Sequence, residues 1–308
     1  MVALGGGHGL AASLRALRRV SDDVTAVVGV SDNGGSSGRL RDEFDVVPPG
    51  DLRMALAALC GDDTWGRTWS RVVQHRFAGS GDLAGHSVGN LLITALWEET
   101  GDIVAGLDWV GALLGAHGRV LPVATRPLQV VAEVAGLHPE DPAAVERVVG
   151  QVEVATTRGE VVALHLEPPD AEACPAAVDA IAAADAVVLG PGSWFTSVLA
   201  PLQVPGIGRA VTQATGRVVV VLNLAAQPGE TDGFSPHRHL EVLHAQVPAL
   251  RVDTVIADPG LVGDVDALAD AAARLGARVV LASVASRDGS PAHDVDLLAS
   301  AFGGVLGR

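Results

Sequence analysis

Asp32, Arg39, Asp51 and Arg53 are the residues whose types and spacing could do chemistry in this chain. Each lies in or just beyond a glycine-bearing stretch: Asp32 and Arg39 in SDNGGSSGRLR, Asp51 and Arg53 in PPGDLR. Bare backbone N–H groups beside guanidinium forks make a phosphate cradle. A carboxylate in such a cradle holds a ribose hydroxyl or a metal, or moves a proton. Asp32 is either a turn-former or a ribose or metal ligand. Asp51 is either a helix cap or a catalytic or metal-binding acid. Arg39 and Arg53 point to phosphate contacts.

The composition narrows the chemistry. None of the 21 basic residues is lysine and there is no tyrosine, which excludes a P-loop lysine, a Schiff-base lysine and a tyrosine acid. Two isolated cysteines, Cys60 and Cys174, predict no zinc site and a reducing compartment. The net charge of −15 works against nucleic acid and anionic lipid, so an anionic ligand needs a local site. With 48% hydrophobic residues, no apolar run of membrane length and no leader pattern, the expectation is a soluble cytoplasmic protein with a sizeable core.

The elements that must position these residues alternate. MVAL, VTAVVGVSD, DAVVLG, RVVVVLNLA, DTVIAD and ARVVLASV are near-continuous apolar runs, the mark of parallel strands covered on both faces. Stretches such as GLAASLRALRRV, DLRMALAALC and HSVGNLLITALWEE read as helices between them, the last two opened by Asp51 and Ser87 as capping types. The fold class is therefore α/β, a Rossmann-like three-layer α/β/α with a mainly parallel sheet. LQVVAEVAG, GQVEVATT and EVVALHLEPP predict an antiparallel excursion around 128–168, inside one domain spanning 1–308.

Several strand ends empty into polar, glycine-bearing loops. The first carries Gly5, Gly6, Gly7, His8 and Gly9; the second carries Asp32, Asn33, Gly34, Gly35, Ser36 and Ser37 ahead of Arg39. Gly50, Asp51 and Arg53 open one helix, and His86 and Asn90 lie in GHSVGNLL at the start of another. Later strands end in Gly190, Gly192 and Ser193, and in Asn223, Gln227 and Thr231. In an open sheet such ends share one edge, so slack linker is the poorer reading and a ligand cradle the better one. His86 is either a buried polar residue or a ligand contact. His237 and His239 read as solvated helix surface, the tryptophans on helical stretches as core or interface, and Trp194 as core or a base-stacking ring.

As an ordered set, GGGHGL, SDNGGSSGRLR, PPGDLR, GHSVGNLL, GPGSWFTS and NLAAQPGETDGF resemble the signature blocks of the YvcK family of gluconeogenesis factors, relatives of the 2-phospho-L-lactate transferase CofD. The resemblance implies a UDP-sugar ligand of the UDP-N-acetylglucosamine kind, a regulatory role in cell morphogenesis and wall synthesis on gluconeogenic carbon, and a homodimer with a cell-wall partner. For the CofD branch it implies transfer of a phospholactyl group to a deazaflavin, with Mg2+ as the only cofactor; Asp32 and Asp51 would then be the catalytic candidates. The chain departs from the family pattern in having His8 for a threonine and Asn33 for a second adjacent acid. It also has Ala292 before the His293–Asp294 pair, where relatives carry a basic residue implicated in sugar-nucleotide binding, and Val295 for a hydroxyl residue just beyond.

Overall fold

The apolar runs form the strands of a seven-stranded sheet in order β10–β9–β8–β7–β1–β2–β3, every pairing parallel. Its members are β1 (Val2–Gly5), β2 (Thr25–Val28), β3 (Arg119–Pro122), β7 (Ala186–Leu189), β8 (Arg217–Val221), β9 (Thr254–Ala257) and β10 (Arg278–Leu281). The structure, a computed structural model, describes residues 1–227 and 229–307. All residues of β1, β7 and β9 are buried, whereas edge strand β10 is half-exposed. Their continuous hydrophobicity follows from cover on both faces.

The chain steps from β1 to β2 on one side and from β7 to β8 on the other, so β1 and β7 meet at the topological switch point. Right-handed crossovers place the two sets of connecting helices on opposite faces. Six helices precede β3 or lead into it: α1 (Gly7–Leu17), α2 (Gly35–Phe44), α3 (Gly50–Leu59), α4 (Thr64–Gln74), α5 (Val88–Thr100) and α6 (Ile103–Leu114). Helix α1 packs on α3 and on the helix Val295–Leu306. Among the described residues, no helix is long and apolar enough to cross a membrane.

The antiparallel excursion is a separate three-stranded sheet with β4 (Gln129–Ala135) between β5 (Val145–Val149) and β6 (Glu160–Glu167). Here the sequence expectation needs correction. GQVEVATT alternates like a strand, yet Gln151–Ala155 is a short helix, and the strand lies just before it. Asn33 from the second strand-end loop decides the matter. Its Oδ1 accepts from the Val152 N–H at 3.0 Å and its Nδ2 donates to Glu153 Oε2 at 2.8 Å, which tertiary contact overrides local pattern. Likewise GGSSGR is the first turn of α2, not loop, and β3 carries too short an apolar run to be noticed. Trp97 is core, but Trp65 and Trp109 stand 54% and 63% exposed.

Candidate functional site

Parallel pairing brings the carboxyl ends of β8, β7, β1 and β2 onto one edge, and with them four of the polar loops foreseen from sequence. Gly6 and Gly34 are the N-caps of α1 and α2, and no cap side chain bonds to either helix start. The positive poles of two helix N-termini thus face the β1–β7 crevice and its neighbour, the first with its Gly7 amide bonded to the Asp51 carboxyl. Gly7 (φ 60°) and Gly35 (φ 47°) take left-handed backbone with nothing packed on them, a conformation only glycine adopts freely.

Other glycines are set by close approach. A Cβ on Gly9 would sit 2.2 Å from the Pro191 carbonyl oxygen, so the loops after β1 and β7 touch backbone to backbone. A Cβ on Gly6 would sit 2.4 Å from Asp51 Oδ2, and one on Gly50 would lie 2.8 Å from Asp32 Oδ2 and 2.2 Å from Ser37 Oγ. These contacts bring Gly6, Asp32, Ser37, Gly50 and Asp51 into one place. Ser197, which sequence reasoning passed over, also faces Gly6.

Asp51 does not cap its helix: Pro49 occupies the N-cap, and Asp51 lies in the first turn. Its carboxyl instead reaches across to the first glycine loop. Burial, then the charge of Asp32, push its pKa up to about 7, against opposing pulls from the Gly7 amide and Arg53. Asp32 accepts from the Gly34 N–H at 2.9 Å, so one oxygen forms the turn while the other faces Gly50.

Arg53 is buried, and its guanidinium is held down to about 10, by burial first and then by Arg76. Its Nε donates to Asn90 Oδ1 at 2.9 Å; among the described residues its Nη groups donate to nothing. That bond sets the Asn90 amide, whose Nδ2 donates to Ser36 Oγ at 3.0 Å, and Ser36 lies 3.0 Å from His86 Nδ1. Ser36 Oγ can give its hydroxyl proton to Nδ1 or accept one from it, so these contacts hold the His86 ring in place under either tautomer. Burial, followed by Arg39, lowers the His86 pKa, so the ring is neutral at pH 7. Ser87 caps α5 as expected, accepting from the Asn90 N–H.

Arg39 is differently engaged. Its Nη groups donate to the carbonyls of Ala84 at 2.8 Å and Asp82 at 2.5 Å, tying the 82–84 loop to α2. His8 stands exposed at the start of α1.

The residues after β7 and β8 chiefly bind one another. Asn223 exchanges two hydrogen bonds with the Gly192 backbone, at 2.9 and 2.8 Å. Gln227 Oε1 accepts from the Trp194 N–H, and its own N–H donates to Thr231 Oγ1. Glu230 is the buried centre of this staple, accepting from Ser193 Oγ and from the Thr196 N–H. The π-helical turn Trp194–Leu199 follows directly. Trp194 is fully buried, edge-on to His239 at 4.9 Å, so it is core and offers no face to a base; His239 is buried with it and is not helix surface. His293 touches the same edge from outside, its Nε2 3.2 Å from the Leu222 carbonyl, while Asp294 caps the last helix. Beyond the staple lies a cavity of about 520 Å³ with Arg158, Glu160, Asp232 and Arg238 in its wall.

Fold and site together define an open α/β protein with an acid–arginine cradle at the switch point. Residues 1–283 match the family described as 2-phospho-L-lactate transferase CofD, and the chain belongs to that family. A Mycobacterium tuberculosis protein that carries the gluconeogenesis factor name is 52% identical over 311 residues, covering 100% of this chain and 90% of that protein. The gluconeogenesis factor of Bacillus subtilis is 36% identical over 252 residues, covering 82% and 76%. A crystal structure of a UPF0052 family member from Bacillus halodurans superposes with a TM-score of 0.87 at 31% identity, covering 98% of this chain and 97% of that one.

Proposed function

We propose that this protein is a nucleotide-sugar-binding regulator, with UDP-N-acetylglucosamine or a close relative as ligand, that couples metabolite level to wall synthesis during gluconeogenic growth. The observation that carries the reading is the pairing of Arg53, buried and with its Nη groups uncommitted, with the glycine-capped N-termini of α1 and α2 at one crevice. That is a diphosphate's complement: guanidinium on one side, backbone amides on the other. The gluconeogenesis factor name of the relatives supports the metabolic setting.

The transferase alternative has its own support in the Asp32–Asp51 pair. An acid held at about 7 by burial and then by a second acid is relieved when a divalent cation arrives. Two carboxylates fit the magnesium pattern in which substrate phosphates complete the shell. They do not make an all-protein cage, and among the described residues no group of three His, Cys, Asp or Glu could hold a metal. The ion would supply charge neutralisation at a diphosphate; Asp32 and Asp51 would hold it, and Arg53 would orient the phosphates.

Calorimetric titration with UDP-N-acetylglucosamine tests the first reading. Arg53→Ala should weaken binding by about 1.5–3 kcal/mol, the worth of a charge-assisted hydrogen bond. Unchanged affinity would remove Arg53 from the site. Mass spectrometry after incubation with magnesium and a deazaflavin acceptor separates the two readings, because a regulator returns its nucleotide intact. Catalytic release of a nucleoside monophosphate, lost in Asp32→Ala, would favour the transferase.

A further inference from the structure

At the opposite end of α1 and α3, about 15 Å along each helix from the glycine cradle, lies a second concentration of charge. A cleft of about 380 Å³ is lined by Arg15, Arg18 and Arg19 of α1 and its C-terminal turn, by Arg67 and Arg71 of α4, and by Asp62. Five of the 21 arginines share this cleft in a chain of net charge −15. The carboxylates facing it are two: Asp62, which pairs with Arg18, and Asp296, which pairs with Arg19. Arg67 donates to the Asp62 carbonyl. Arg15 and Arg71 are exposed and make no ion pair among the described residues.

A surface of complementary pairs would leave nothing over, but here guanidinium is in clear excess. Moreover, Arg18 Nε is buried without an acceptor, and an unsatisfied buried charged donor is costly. The other reactive group there, Cys60, is pushed up to about 11 by burial, so its thiol stays protonated and recognition, not sulfur chemistry, is what the cleft offers.

We infer that this arginine cleft is a second anion-binding site, for a compact, multiply charged phosphate compound of the diphosphate or bisphosphate class. Size sets the class: 380 Å³ is at the small end of ligand pockets and encloses a small molecule rather than an extended chain. The chain's net charge of −15 works against a long polyanion more than against a small one. Paired guanidiniums recognise phosphate oxygens by bidentate bonds.

The test is calorimetric titration of the full chain with inorganic pyrophosphate, for wild type, the Arg15→Ala/Arg71→Ala double variant, Arg53→Ala and the two combined. Both arginines of the double variant are exposed, so its melting temperature should match wild type, and its UDP-N-acetylglucosamine titration should be unaltered. Pyrophosphate binding should survive in Arg53→Ala, and in that background, with the cradle's share removed, its affinity should fall at least about tenfold when Arg15→Ala/Arg71→Ala is added, the loss of one or two charge-assisted bonds. The inference rests on its own residues: loss of pyrophosphate binding in Arg53→Ala alone would assign the anion to the glycine cradle and overturn it. No binding to wild type up to about millimolar pyrophosphate, or equal binding when the double change is added to Arg53→Ala, would also overturn it. So would capture of a decaglutamate peptide without pyrophosphate binding, which would make the cleft a protein-docking surface.

Discussion

Asp51→Asn tests the electrostatics of the cradle without needing a ligand. In the folded protein burial and the nearby Asp32 hold the Asp51 carboxyl at about 7, against an ordinary 3.8. Between those pH values the unfolded chain has already released this proton while the folded chain keeps it. Folded stability therefore falls as pH rises through the window. At 1.36 kcal/mol per pH unit the whole difference amounts to about 4 kcal/mol, a ceiling because the two acids titrate together. An asparagine keeps the shape and an acceptor for Gly7 but cannot ionise. It should raise stability by about 2–4 kcal/mol near pH 8 and by little near pH 4. The assay is urea unfolding of both proteins across that range, read as variant minus wild type. The difference is needed because His293, held near 4, and His86 and His239, also held low, gain stability in the opposite direction as pH rises towards 6.5. A difference that stays flat from about pH 4 to 8, or a variant less stable near pH 8, would refute the placing of a buried, charge-coupled acid here.

Gly9→Ala should force the loops after β1 and β7 apart, since its methyl would meet the Pro191 carbonyl at 2.2 Å; a loss of about 1–3 kcal/mol in urea unfolding is expected, with weaker nucleotide-sugar binding. Glu230→Ala should leave Ser193 Oγ and the Thr196 N–H without their acceptor, lowering stability by about 1.5–3 kcal/mol in the same assay. Arg39→Ala should free the 82–84 loop, seen as faster amide exchange at Ala84 and its neighbours, because the arginine holds two of that loop's carbonyls.

Much of this architecture is written in local pattern. Runs such as AVVL and TVIA can only be parallel strands covered on both faces, and glycines at strand ends announce helix starts open to an anion. Asp32, Asp51 and Arg53 were legible as candidates because they stand in those loops, and parallel strand order then carries them to one edge. What local pattern leaves open is which partner each side chain finds, since that depends on residues far away in the chain. Asp51 turns from its own helix start to Gly6 and Gly7, 44 or more residues earlier, and its burial there, with Asp32 close by, lifts its pKa. Arg39 and Arg53 look alike in sequence, but one is engaged by loop carbonyls while the other keeps its Nη groups open. Val152 and Val154 alternate like strand residues until Asn33, more than a hundred positions away, closes a helical turn around them. The five arginines of the far cleft come from two separate stretches of sequence and become one site only when α1 and α4 pack side by side against α3. Periodicity and turn chemistry act between neighbours along the chain, whereas charge, burial and hydrogen bonding act between neighbours in space.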